Sequence, residues 1–130
     1  MSKTFKKHKQ AYNGYVYIIK IEYGAETIYK IGTTNRTPMH RMAEIAVDLC
    51  GVIGYIPKMM LIRQKQTKDN YKIEAAILKA TEKNRYLLQC NGNISGESEL
   101  RSMREIELLN CYDFTLMAGQ PAEIEFEVAL

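Results

Sequence analysis

Gly14-Tyr15-Val16-Tyr17-Ile18 and, a hairpin's length later, Tyr29-Lys30-Ile31-Gly32 are the stretches on which the fold turns. Residues Tyr15 to Glu22 are rich in aromatic and β-branched side chains, apolar on both parities as far as Ile19, as in a central strand covered on two faces. Tyr23-Gly24-Ala25-Glu26 reads as a turn and Thr27 to Gly32 as the returning strand. Side chains alternate between faces, so Tyr17 and Tyr29 share a face only across a connection with an odd number of residues. If both tyrosines serve one site, a three- or five-residue connection is expected.

Working outward, Thr33-Thr34-Asn35-Arg36 leads to Thr37-Pro38, a hydroxyl at the N-cap followed by proline at the first helical position. Met42, Ile45, Ala46 and Leu49 then form one apolar face, Arg41 lies beside it, and Gly51 is expected to end the helix. Ile56 to Arg63 reads as a third strand and Lys65 to Asp69 as a polar loop. A second helix starts near Asn70, with Ile73, Ala76, Ile77 and Ala80 inward and Glu74 on the border between buried and exposed. Beyond the Asn91-Gly92-Asn93 turn, Glu99 to Asn110 is expected to be helical, and Tyr112 to Met117 and Ile124 to Val128 extended. The fold class is α/β, with a C-terminal helix and strand elaboration. Residues 1–13 read as a basic arm, 14–98 as the core, and 99–130 as an extension of the same domain.

The 130 residues suit one domain with a modest core, and 46% apolar with 25% charged residues is ordinary for a globular chain. No apolar run reaches the roughly 18 residues of a membrane helix. The basic N-terminus leads into no hydrophobic signal core, so a cytoplasmic protein is expected. Cys50, Cys90 and Cys111 are odd in number and far apart, which argues against a disulfide framework and a paired-cysteine zinc site. Net charge is only +3, but Lys and Arg crowd the first two thirds while acids gather late. That distribution suits a polyanion partner, since phosphate contacts release counterions; a solvated surface explains the same charges.

Hydrolysis of a phosphodiester needs a positioned water, a proton acceptor and positive charge on the phosphate. Tyr17, Tyr29, Arg41 and Glu74 occur in an order that offers these parts, with a carboxylate able to hold a hard cation. Gly14-Tyr15-Val16-Tyr17, then Tyr29-Lys30-Ile31-Gly32-x-Thr34-x-Arg36-Thr37-Pro38-x-x-Arg41, resembles the GIY-YIG nuclease superfamily, in its phage and bacterial branch with GYVY- and YKIG-type motifs. The resemblance is tight from Gly14 to Arg41 and loose from there to Leu100, and it implies a small three-stranded antiparallel or mixed sheet flanked by helices and a divalent-metal-dependent DNA endonuclease. On it, Tyr17 acts as base or water-positioning group, Tyr29 supports it, Arg41 contacts the scissile phosphate, and Glu74 ligates one Mg²⁺ or Mn²⁺ per site.

The chain departs from the pattern at Leu78, where the branch usually has histidine, and the family's late asparagine has no secure counterpart. An alternative register puts Lys79 at the metal glutamate, and the alternative function is a catalytically degenerate scaffold that binds DNA or inhibits a partner. His40, beside Arg41, is a proton-shuttle candidate or an exposed helix histidine. Lys30, Arg36, Thr34, Lys6 and Lys7 are candidate DNA contacts, the loop residues because helix N-termini favour phosphate. Glu99 is a possible second acid, although a cap by Ser98 with acidic first-turn residues explains that stretch as well. Ile124 to Val128 alternates like an exposed edge, through which a homodimer would form.

Overall fold

The computed structural model of the protein describes residues 14–88 and 99–118. Strands β1 (Gly14–Tyr23), β2 (Glu26–Thr34), β3 (Lys58–Thr67) and β4 (Leu100–Arg101) form one antiparallel sheet in the order β3-β1-β2-β4. Helix α1 (Pro38–Ile53) follows β2, α2 (Asn70–Ala80) follows β3, and α3 (Glu105–Ala118) follows β4. The expected sheet of three strands therefore gains a short fourth one on the outer side of β2.

β1 is central, as its apolar parities require, and it sorts the core into two layers. Tyr17, Ile19 and Ile21 face one way and pack with Ile28, Leu100 and the α1 residues Ile45 and Leu49. Val16 and Ile18 face the other way and pack with Tyr29, Ile31, Ile73 and Ile77 of α2, and Leu108 and Tyr112 of α3. Tyr112 ties α3 to the sheet by donating its hydroxyl to Val16 O at 2.7 Å.

The hairpin corrects the expected connection. Tyr23 pairs with Glu26, leaving the two-residue turn Gly24-Ala25 with Gly24 at φ +57°. A positive φ at the first central position suits the tight turns that match strand twist, and glycine adopts it without strain. In this register Tyr17 opposes Gly32 while Tyr29 opposes Lys20, so the two tyrosines lie on opposite faces.

Thr37 caps α1 as expected, its Oγ1 accepting from His40 N at 3.2 Å, with Pro38 in the first turn. The helix runs through Gly51 and ends at Gly54, whose φ of +90° and bond to Cys50 O make it the left-handed cap. β3 begins later than expected and extends to Thr67, because pairing continues along β1 to Gly14. Tyr112 to Met117 is helical rather than extended: Leu108 and Tyr112, four apart, both bury against the sheet, and that packing overrides the β-propensity of Tyr, Phe and Thr. Leu100 and Arg101 close the sheet edge, and the helix starts at Glu105 rather than at Glu99.

Lys6, Lys7, Cys90, Ser98 and Ile124 to Val128 lie outside the described residues. Cys50 and Cys111 are free thiols. Among the described residues no helix is long and apolar enough to cross a membrane.

Candidate active site

Tyr17 is the anchor of the polar cluster. It is 1% exposed, and its ring lies over Gly32: a Cβ built there would come within 2.6 Å of Tyr17 Cζ. Glycine in the second motif is thus the space in which the first motif's tyrosine sits. Burial pushes the Tyr17 hydroxyl up to about 12. Arg41, hydrogen-bonded to it, opposes that rise, while Glu99 and Glu74 reinforce it. The hydroxyl therefore stays protonated at neutral pH and can orient a water by hydrogen bonding.

Arg41 reaches this point from the first turn of α1. Its Nη1 also donates to Glu44 Oε1 at 3.0 Å, and Arg36 grips both Glu44 oxygens at 2.9 Å. The two guanidinium groups hold the Glu44 carboxyl below its ordinary range. Two arginines on one carboxylate at a helix N-terminus leave a positive local balance suited to phosphate. Thr34 is buried and its Oγ1 accepts from Arg36 N at 3.1 Å, so it shapes the strand-to-helix loop. His40 is exposed beside it and contributes its backbone N–H to the Thr37 cap.

The acidic half gathers at the β2–β4 edge. Leu100 pairs with Lys30, which brings the preceding residue, Glu99, to the Lys30 ammonium as an ion pair. Glu99 also hydrogen-bonds to Glu74 of α2. Glu74 is half-buried, and its Oε2 is buried without a hydrogen-bond partner. Burial first, then the Glu99 charge and hydrogen bond, push the Glu74 carboxyl up to about 7, against the pull of Lys30.

Tyr17 and Arg41 are thus joined by a hydrogen bond, the Tyr17 hydroxyl feels the charges of Glu74 and Glu99, and Tyr29 takes no part in that group. It lies on the α2–α3 face, where its hydroxyl donates to Glu105 Oε1 at 3.0 Å and Lys20 pairs with the same oxygen at 3.0 Å. Lys30, expected at the DNA surface, is instead 2% exposed and internal to the site. Sequence reasoning misses Glu44, although its spacing from Arg41 on one helix turn is the available signal.

A hard divalent cation fits this donor set. Among the described residues no cage of three or more His, Cys, Asp or Glu exists. A carboxylate pair with an orphaned buried oxygen nevertheless matches how Mg²⁺ is commonly held, by one or two carboxylates with its remaining positions filled by water.

The chain belongs to the T5orf172 domain family, whose model matches residues 14–116. That family falls in the GIY-YIG/HNH-like, nuclease-related group. No curated protein and no solved structure matches the chain.

Proposed function

We propose that this protein is a small divalent-metal-dependent DNA endonuclease with a GIY-YIG-type site. What supports the reading is the hydrogen bond between Tyr17 and Arg41, with the charges of Glu99 and Glu74 acting on the same hydroxyl. Arg41, backed by Arg36 and Glu44, binds the scissile phosphate and stabilises the charge that grows on its oxygens. Tyr17, protonated, orients the attacking water. Glu74 and Glu99 would hold Mg²⁺ or Mn²⁺, which when bound supplies Lewis-acid charge and lowers the pKa of a bound water. Family membership over residues 14–116 supports the same reading.

The test is nicking of supercoiled plasmid in Mg²⁺, Mn²⁺ or EDTA by the wild type, Tyr17→Phe and Glu74→Ala. Metal-dependent nicking lost in both variants is the expected result. Salt-sensitive DNA binding with no nicking in either metal would reject the enzyme and favour the degenerate DNA-binding scaffold.

A further inference from the structure

Lys30 is an ammonium group placed where water barely reaches, and a buried charge is costly unless closely partnered. Its partner is Glu99, which in turn meets Glu74, so a single lysine serves two carboxylates. The oxygen left without a partner, Glu74 Oε2, belongs to this group. Tyr17, with Arg41 hydrogen-bonded to it, feels the charges of Glu74 and Glu99, and Arg101 of β4 feels that of Glu99. By the alternation of β2, Lys30 and Gly32 are the second-motif residues on the Tyr17 face, and Tyr29 is on the other.

We propose that Lys30 is the built-in counter-ion of the site: it holds Glu99 beside Glu74 and shares that carboxylate pair with a divalent cation. The inference rests on the nuclease reading for the identity of the cation as the one the site uses. A positive charge beside a divalent ion weakens its binding, and removing that charge while keeping the carboxylates strengthens it. Lys30 is therefore a positioning residue, acting through Glu99, and sets how tightly the metal is held.

The experiment measures Mn²⁺ affinity of the DNA-free protein, by the electron paramagnetic resonance signal of unbound Mn²⁺. Lys30→Met should tighten the dissociation constant by roughly tenfold, and Lys30→Arg, which keeps the charge, should stay within about twofold of wild type. Glu99→Gln should weaken it by roughly tenfold. Equal Mn²⁺ affinity in Lys30→Met and wild type, with only the melting temperature lowered, would make Lys30 a packing residue and overturn the proposal. If Lys30→Met does not fold, the wild type labelled with ¹⁵N-lysine is titrated with Mg²⁺; a saturable shift of the Lys30 Nζ signal supports the proposal, and an unmoved signal overturns it. Plasmid nicking by the same preparations separates the two readings. Affinity that responds to Lys30 without any nicking supports the counter-ion and rejects the nuclease. Nicking with affinity indifferent to Lys30 does the reverse, and no Mn²⁺ binding in any form rejects both.

Discussion

Replacing Glu74 by glutamine in the metal-free protein removes an ionisation that the fold opposes, and the effect should depend on pH with a definite sign. The Glu74 carboxyl moves from 4.5 to about 7 on folding, chiefly by burial and then by the neighbouring Glu99. Between those values the folded chain holds a proton that the unfolded chain has released, so stability falls as pH rises through the interval and is level above it. Each tenfold change in the carboxyl's proton affinity on folding is worth about 1.4 kcal/mol, which sets a ceiling of about 3 kcal/mol; because Glu74 is only half-buried, solvent screening reduces the expected loss to about 1–2 kcal/mol. Glutamine, of nearly the same shape, does not titrate. Urea unfolding in EDTA at pH 4 to 8 should show Glu74→Gln gaining on the wild type by that amount, with the gain complete just above neutrality. Parallel curves for the two proteins across the whole range would refute the reasoning, as would a wild type that gains relative stability with rising pH.

Tyr17→Phe should reduce plasmid nicking by about a hundredfold or more with DNA affinity kept within a few-fold, whereas Tyr29→Phe, altered on the opposite face, should retain nicking within about threefold. Loss of activity in both to the same extent would mean that Tyr29 serves the site after all. Gly32→Ala should cost about 1–3 kcal/mol in urea unfolding, because the new methyl meets the Tyr17 ring in a packed core; wild-type stability would show that the ring has room to move. Tyr112→Phe removes the hydroxyl bond to Val16 O and should cost about 1 kcal/mol by the same measurement, with no change in nicking.

What the sequence makes legible is local. β1 as a central strand follows from apolar residues on both parities, and the start of α1 from Thr37-Pro38, because each signal is complete within a few residues. The end of α1 is ambiguous in sequence because Gly51 and Gly54 are both glycines, and only the geometry says which takes the left-handed conformation. The helix through Tyr112 reads as a strand because its residues are apolar nearly all round and favour extended backbone. What decides there is a contact with β1 some ninety positions away, with |i−j| of 96 for the Tyr112–Val16 bond. The Glu99–Lys30 pair, with |i−j| of 69, is equally non-local, so a second acid is readable in sequence only as a possibility.

The hairpin is the more instructive case, since its signal is present and a functional expectation outweighs it. Gly24 followed by one ordinary residue is the composition of a two-residue turn with a positive φ at its first position, and that turn fixes the register by itself. Requiring two tyrosines on one face asks for an odd connection instead. Once the turn is taken at its word, alternation turns Tyr29 to the α2–α3 layer and Lys30 toward Tyr17 before any three-dimensional information is used. A lysine within an apolar strand flanked by Tyr29 and Ile31 then contradicts burial preference, and such a contradiction needs a partner of opposite charge. Glu99 is that partner, and through it the lysine reaches the one carboxylate with an unsatisfied buried oxygen among the described residues. The residue that breaks the strand's hydrophobic pattern is therefore a better pointer to the site than the aromatic residue that fits it.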